Sequence, residues 1–508
     1  MGTGELISRI SWRYSTRSEM KANRFMWVTT AVLIVFLCIA GVTAAPVAAF
    51  SGKPTSGPPS LTVTFKDAST GSPSGWAWFF GDETYKAPWT QVNLSGGWTE
   101  RGEHSSVAMP DGSIVLTGGV IRYYYLGKND VWRSVNNGAT WTQMTAGAGW
   151  AARREHSSVA MPDGSIVLMG GTVDTEWWGP LPSNDVWRST DKGATWTQMT
   201  AGAGWAARYE HSSVVLPDGS IVLTGGDLGT GFSGKNDVWR STNNGANWTR
   251  MNASAGWSER RGHSSVAMPD GSIVLMGGID NSGLRKNDVW RSTDKGATWT
   301  QMNASAGWVA RYGHSSVAMP DGSIVMMGGL TTSYRNDVWR STDNGATWTQ
   351  LPDAAWTGRY AHSSVAMRDG SIVTMGGYTG SHMNDVWRFV PTGSSLQNPS
   401  HLYTAPGRYT VALQVYNSGG YSSMRKAGYI TVGVSLLPLP GFSNPPTDPD
   451  HDGIYEDLNA NGRLDFADVV LYFNQMTWIA ANEPVSAFDL NKNGRIDFAD
   501  IVALFNEI

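Results

Sequence analysis

Two segments near the end of the chain place oxygen-bearing side chains at a regular spacing. DLNANGRLDFAD begins at Asp457, and DLNKNGRIDFAD begins at Asp489. Each has carboxylates or amides at loop positions 1, 3, 5, 9 and 12 and Gly at position 6. A sharply turning loop of this kind can wrap the six to eight oxygens that Ca²⁺ prefers. The predicted ligands, with a main-chain carbonyl at position 7, are Asp457, Asn459, Asn461, Arg463, Asp465 and Asp468, and Asp489, Asn491, Asn493, Arg495, Asp497 and Asp500.

A third acidic array stands just upstream. DPDHDGIYED places Asp448, Asp450 and Asp452 at alternate positions before a Gly, which makes them candidates for a third ion. Because so many carboxylates would repel one another without a cation, we expect folding of this tail to be coupled to metal binding.

Each of the two complete loops is followed by an apolar run, VVLYFNQM or IVALF, that suits a helix. The loop spacing is that of the EF-hand, and the duplicated loop and helix resemble a dockerin. The resemblance implies Ca²⁺ as cofactor and a cohesin-like partner for the tail. The Phe-Ala pairs at Phe466 and Phe498 occupy the positions that dockerins use for partner contact, where hydroxyl residues are usual.

The middle of the chain repeats the stretch HSSVAMPDGSIVL with few changes. Its histidines are spaced by 52, 55, 52, 51 and 48 residues, and they are His104, His156, His211, His263, His314 and His362. A period near 50 residues indicates a propeller or a solenoid. Equivalent positions around a ring are too far apart to share one metal ion, so we predict that these histidines are architectural. The same prediction applies to the arginine three residues before each of them.

Each unit reads as four short strands separated by turns, with a hairpin at Asp-Gly and a Gly-Gly doublet after the second strand. Six copies of three strands are followed by five copies of the fourth, and WTQV at Trp89 can supply the missing one. The Arg and His, the Gly-Gly doublet, NDVW and a later Trp resemble the kelch repeat. STDKGATW at Ser189 resembles the Asp-box turn of several propeller families. These resemblances imply a six-bladed β-propeller.

Residues 51–84 and 398–433 flank the repeats. WFFGDE, containing Trp78, and NPSHLY, containing His401, together resemble a PKD domain, an immunoglobulin-like sandwich into which the propeller would be inserted. The predicted fold is mainly β, with a small α-helical calcium module at the C-terminus. The predicted boundaries are 1–45 for a leader, 46–86 and 391–433 for the sandwich, 87–390 for the propeller, 434–447 for a linker and 448–508 for the calcium module.

Residues 25–45 are uncharged, follow basic residues and end in small ones, which is the layout of a signal peptide. Their length also suits a membrane anchor, and both alternatives place the protein outside the cell or on its surface. A net charge of -4 with 16% charged residues gives no field that favours nucleic acid. Cys38, inside the leader, is the single cysteine, so the mature chain can form neither a disulfide nor a Cys-Tyr copper site.

The loops after the Gly-Gly doublets differ between units and are rich in aromatic residues. Exposed aromatics on a rigid scaffold suit a glycan or a protein ligand, although loop drift would explain them too. The candidate ligand-binding residues are Tyr123, Tyr124, Tyr125, Trp177, Trp178, Phe232, Tyr334 and Tyr378.

The sequence favours a non-catalytic exported or surface protein whose propeller binds a ligand and whose tail attaches it. The alternative is a glycoside-hydrolysing propeller, which needs an acid pair that breaks the ring symmetry. Asp174 and Glu176 are the candidates for that pair, because Glu103, Glu155 and Glu210 recur in three units. The combined arrangement resembles exported proteins of methanogenic archaea.

Overall fold

The computed structural model describes residues 44–121, 127–174, 181–231, 233–391, 393–434, 436–450 and 452–508. Residues from Ala45 onward form one compact unit, which is mainly β. The helices of the described residues are Phe466–Asn482, Val485–Phe488 and Phe498–Glu507. Among the described residues, no helix has both the length and the apolar character needed to cross a membrane.

The repeated units form six antiparallel four-stranded sheets. Their strands, in sheet order from the first strand to the outermost, are Ser105–Ala108, Ile114–Thr117, Val131–Ser134 and Thr142–Thr145; Ser157–Ala160, Ile166–Met169, Val186–Ser189 and Thr197–Thr200; Ser212–Val215, Ile221–Thr224, Val238–Ser241 and Thr249–Asn252; Ser264–Ala267, Ile273–Met276, Val289–Ser292 and Thr300–Asn303; Ser315–Ala318, Ile324–Met327, Val338–Ser341 and Thr349–Leu351; and Ser363–Ala366, Ile372–Met375, Val386–Phe389 and Thr90–Asn93.

The first strands of the six sheets contact one another in a closed cyclic order, so the sheets stand around a central channel as the blades of a propeller. The outermost strand of the last sheet comes from the start of the repeated region, with Val386 opposite Asn93 and Arg388 opposite Thr90. This is the closure that the strand count predicts. It pairs a strand edge that would otherwise be open.

Three small sheets add to the face of the ring that carries the loops after the Gly-Gly doublets, which we call the loop face. They are Arg101–Gly102 with Val120–Ile121, Arg153–Arg154 with Thr172–Val173 and Leu181–Pro182, and Arg260–Arg261 with Ile279–Asp280.

The flanking segments form two further sheets, each combining strands from before and after the repeats. One sheet contains Phe50–Lys53, Leu61–Asp67 and Ser400–Tyr403; the other contains Ser56–Gly57, Gly420–Val432, Gly407–Asn417 and Gly75–Phe79. Aromatic and aliphatic side chains fill the space between them, including those of Phe65, Trp78, Leu413 and Val415. The propeller is therefore an insertion between the two halves of this β-structure.

The residues shared by all six units hold the ring together. In every sheet the repeated arginine is buried and forms a two-pronged ion pair with the aspartate of NDVW; Arg311 and Asp337, 2.6 Å apart, are one such pair. A tryptophan that is 1% exposed packs between successive sheets, as Trp205 does against Ile221. The arginines are architectural, as the repeat predicts, and these tryptophans are part of the core.

The six repeated histidines are buried beside the Gly-Gly doublets. A methyl group on Gly118 would lie 2.8 Å from His156 Cε1, which is why a side chain cannot stand there. His156 lies 2.9 Å from Thr117 Oγ1 in the neighbouring sheet, and His263 contacts Thr224 in the same way.

Not every repeated histidine forms such a hydrogen bond. Within the described residues, neither ring nitrogen has a hydrogen-bond partner in His104, His211, His314 and His362. For all four, the preceding sheet around the ring offers a methionine where the sheets before His156 and His263 offer a threonine, and these methionines are Met375, Met169, Met276 and Met327. Burial lowers the pKa of His104 and His314 to about 3, so these side chains are neutral parts of the core.

The sandwich covers the face of the ring that carries the PDG hairpins, opposite the loop face. Arg425 donates to the Asp321 carbonyl at 2.8 Å, and Arg368 donates to the Asn417 carbonyl at 2.8 Å. A cavity of about 540 Å³ lies between them, lined by repeated Met-Pro pairs and by Gly420 of the sandwich. Among the described residues, the sandwich therefore leaves the loop-face end of the channel uncovered.

Candidate functional site

The first calcium loop is folded around buried carboxylates. Asp457 accepts hydrogen bonds from the Asn461 and Gly462 amides at 3.0 and 2.8 Å. Asp468, at loop position 12, accepts from the Asn459 side chain at 2.8 Å and caps the following helix together with Asp465. Both Asp457 and Asp468 are 0% exposed.

The second loop repeats these contacts. Asp489 accepts from the Asn493 and Gly494 amides at 2.9 and 2.7 Å, and Asp500 accepts from the Asn491 and Asp497 amides. Within the described residues, none of the four buried aspartates of the two loops forms an ion pair with a lysine, arginine or histidine. Burial raises the pKa of Asp468, and the carboxylates of Asp457 and Asp465 raise it further. A bound cation would offset this charge, so the residues fit calcium.

The third acidic array gains a member that the sequence analysis missed. The carboxylates of Asp448, Asp450, Asp452 and Glu456 all lie within 4.8 Å of one another. Burial, together with the three aspartates, raises the pKa of Glu456 to about 8. The signal was present in the sequence, because Glu456 stands at position 9 of a loop that starts at Asp448.

The two long tail helices share an exposed apolar face. Phe466, Val470 and Phe473 lie one helical turn apart, and Phe498, Val502 and Phe505 lie at the same positions of the second helix. Phe466 is 60% exposed and Phe498 is 57% exposed. Phe466 contacts Phe505 edge to face, and Phe473 contacts Phe498 likewise. We call these six residues the phenylalanine face.

On the loop face of the propeller, the residue before each repeated histidine joins a closed ring of hydrogen bonds. The amide of each donates to the carbonyl of the equivalent residue in the preceding sheet, at 2.8 to 3.0 Å. All six residues have positive φ, and they are Glu103, Glu155, Glu210, Gly262, Gly313 and Ala361. Left-handed backbone is costly for a residue other than glycine. Three successive sheets nevertheless carry a glutamate at this position, which points to a use for the glutamate side chains.

The three glutamates form an acidic cluster with Arg154 and Arg261 at the mouth of the channel. Arg154 Nε lies 3.3 Å from Glu103 Oε2, and Arg261 Nε lies 3.2 Å from Glu210 Oε2. Burial, together with the Glu155 carboxylate, raises the pKa of Glu103 and of Glu210 to about 8. The carboxyl groups of Glu103 and Glu210 are therefore largely protonated at neutral pH.

A tyrosine cluster occupies the other half of this mouth. Tyr360 stacks on Tyr334 at 5.7 Å and meets Tyr378 and Tyr312 edge to face. Tyr312 and Tyr360 pack where a methyl group on Gly262 or Gly313 would stand. Burial raises the pKa of Tyr360, and the Glu103 carboxylate raises it further, so the two clusters share one electrostatic environment.

The structure thus brings Tyr334 and Tyr378 together, as loop aromatics predicted to bind a ligand. Tyr123, Tyr124, Tyr125, Trp177, Trp178 and Phe232 lie outside the described residues. Sequence reasoning missed Tyr312 and Tyr360 and treated the glutamates as structural. The signal was the R-x-x-H frame, whose two middle positions differ between units while the frame stays constant.

Of the acid pair predicted for the catalytic alternative, the structure describes Asp174 alone. Asp174 lies 3.7 Å from Arg154 and accepts a hydrogen bond from the Gly127 amide. Glu176 lies outside the described residues.

Two family models match the chain. Residues 210–418 match the KLHDC2/KLHL20/DRC7 Kelch-repeats domain, and residues 455–508 match the Dockerin type I domain. The chain carries kelch repeats and a dockerin domain. The kelch repeats agree with the propeller described above, and the dockerin domain contains both complete calcium loops. The Asp-box, the PKD identity of the sandwich, the leader and the archaeal resemblance stay predictions.

Individual relatives cover parts of the chain. A xyloglucanase of Paenibacillus sp. is 27% identical over 199 residues, 34% of this chain and 18% of that protein. Adagio-like protein 1 of Oryza sativa subsp. japonica is 26% identical over 268 residues, 48% of this chain and 41% of that protein. The chain therefore spans less than half the length of these relatives. The solved structure of YjhT aligns with a TM-score of 0.47 at 16% identity, covering 64% of this chain and 100% of that one.

Proposed function

We propose that the chain is a non-catalytic exported or cell-surface protein that binds a glycan on the loop face of its propeller and is attached through its dockerin domain. The observation that carries the proposal is the tyrosine cluster beside the acidic cluster, at the end of the channel that the sandwich leaves free. Sugar rings stack on aromatic side chains, and sugar hydroxyls form hydrogen bonds with carboxyl groups. A protein ligand is the other class that such a surface could take.

Replacing Tyr360 by Ala tests the binding face. Tyr360 contacts three other tyrosines, so its loss removes the centre of the cluster. We expect affinity for a bound glycan to fall at least tenfold, measured on a glycan array and then by calorimetry. Tyr409→Ala in the sandwich is the matched control and should bind as the wild type does. Equal binding by the Tyr360 variant would exclude the tyrosine cluster, and a ligand found only among proteins would replace the glycan.

The dockerin domain supplies the attachment. Dockerin domains bind cohesin partners. Here the phenylalanine face is an exposed apolar surface with two equivalent halves, one on each helix. Large exposed apolar patches are typical of protein interfaces. A Phe466→Ser, Phe498→Ser double variant keeps the calcium ligands and should bind cohesin domains at least tenfold more weakly than the wild type. Phe442→Ser, an exposed phenylalanine of the linker, is the control. If no cohesin binds the wild type, attachment by this partner class is wrong.

Glycoside hydrolysis is the second candidate function. The raised pKa of Glu103 and Glu210 keeps a carboxyl group protonated at neutral pH, as a general acid requires. The similarity to a xyloglucanase also supports it. Release of sugar from a bound glycan, abolished by Glu103→Gln or Glu210→Gln, would favour this function. Saturable binding without release favours the non-catalytic one.

A further inference from the structure

We propose that Asp448, Asp450, Asp452 and Glu456 form a third divalent-cation site, which binds Ca²⁺ at the junction between the linker and the dockerin domain. Their carboxylates converge to within 4.8 Å of one another. Three of the four residues precede residue 455, where the match to the dockerin family begins. The inference does not depend on the ligand or the partner proposed above.

Glu456 is the observation that makes this cluster more than a group of surface acids. It is 5% exposed, although its carboxylate points into the cluster. In the part of the chain that the structure describes, no other residue donates a hydrogen bond to that carboxylate, and no lysine, arginine or histidine pairs with Asp450, Asp452 or Glu456. Burying a carboxylate side chain that no cation and no other residue compensates is unfavourable. A bound cation removes that cost.

The loop around the cluster has the hydrogen bonds of the first dockerin loop. Asp448 accepts from the Asp452 and Gly453 amides, as Asp457 accepts from the Asn461 and Gly462 amides. The ligands stand at positions 1, 3, 5 and 9 with Gly453 at position 6. Four carboxylates with no soft ligand suit a hard cation such as Ca²⁺.

The position of the site indicates what the ion does. Thr447 pairs with Asp457 through both main-chain groups and through its hydroxyl, which joins the third loop to the first dockerin loop. Tyr455 donates from its amide to the Ala487 carbonyl at 2.9 Å. Its hydroxyl lies 2.6 Å from where a methyl group on Gly433 would stand, at the end of the sandwich. An ion in this loop therefore stiffens the connection between sandwich and dockerin domain.

The test counts bound Ca²⁺ on the full-length protein by elemental mass spectrometry after dialysis in excess Ca²⁺. The wild type should hold three ions, and an Asp450→Asn, Glu456→Gln variant should hold two. Glu507→Gln, an acidic residue near the cluster, is the control and should keep three. Two ions on the wild type, or three on the double variant, would overturn the proposal.

A second measurement follows the stiffness of the junction. Chymotrypsin cleavage after Phe442, which is 40% exposed, should be severalfold faster for the double variant than for the wild type in Ca²⁺, and equal for both in a chelator. If the double variant loses its helices, the single variant Asp450→Asn replaces it in the test, because Asp450 is exposed and its replacement should leave the fold intact. Calorimetry should then show one of three ions bound at least tenfold more weakly. Unchanged cleavage or unchanged binding of all three ions would refute the site.

Discussion

Replacing Asp337 by Asn tests whether the repeated arginine and aspartate hold each blade. Arg311 is 0% exposed, and its terminal nitrogens lie 2.6 and 2.7 Å from the two Asp337 oxygens. Asn keeps the shape but removes the charge, which leaves a buried guanidinium unpaired. Removing one partner of a buried pair costs about 3–5 kcal/mol. Arg311 keeps its hydrogen bonds to the Val309 and Gly328 carbonyls, so we expect a cost near the lower end, about 3 kcal/mol.

The assay is urea unfolding followed by tryptophan fluorescence. The control is Asp343→Asn in the same blade, because asparagine stands at the equivalent turn position in two other units, as Asn136 and Asn243. The control should change the free energy of unfolding by less than about 0.5 kcal/mol. If the Asp337 variant unfolds at the same urea concentration as the control, the ion pair does not stabilise the blade and the reasoning fails.

Three further predictions concern pH, metal and packing. The buried histidines have a lower pKa in the fold than when unfolded, so their contribution to the stability of the fold is complete above about pH 6.5 and is lost as pH falls toward 3. The pKa of Glu103 and of Glu210 is raised to about 8, so their contribution to stability is complete below about pH 4.5 and is lost as pH rises through 8. The melting temperature should therefore be highest near pH 6.5, and a melting temperature that rises steadily from about pH 6.5 to about pH 8 would contradict this. Chelation of Ca²⁺ should remove the helical circular dichroism of the tail and leave the propeller's tryptophan fluorescence unchanged. Helices that persist after chelation would show that the tail folds without metal. Gly118→Ala should lower the urea midpoint more than Gly231→Ala, because both have positive φ but only Gly118 faces His156; equal midpoints would show that the imidazole gives way.

The repeated part of the fold could be predicted because each unit states the same pattern. Kelch repeats, a propeller and a dockerin domain follow from residues that recur at fixed spacings, and the comparisons confirm them. Closure of the last sheet by Thr90–Asn93 followed from counting strands. The domain boundaries and the calcium ligands stay predictions.

What could not be predicted depends on contacts between units. The hydrogen-bond ring that carries Glu103 links residues about 50 positions apart and needs left-handed backbone, which a single sequence does not reveal. The histidine bonds depend on whether the neighbouring sheet offers a threonine or a methionine. Tyr360 joins Tyr334 and Tyr378 only because consecutive units meet at the mouth of the channel.

The shared last sheet also constrains the order in which this chain can fold. Thr90–Asn93 has no partner until Val386–Phe389 has been synthesised, and Gly75–Phe79 of the sandwich waits still longer for Gly407–Asn417. A chain released early would expose an unpaired strand edge, which favours aggregation. Premature termination anywhere before residue 389 should therefore yield insoluble protein rather than a smaller working ring.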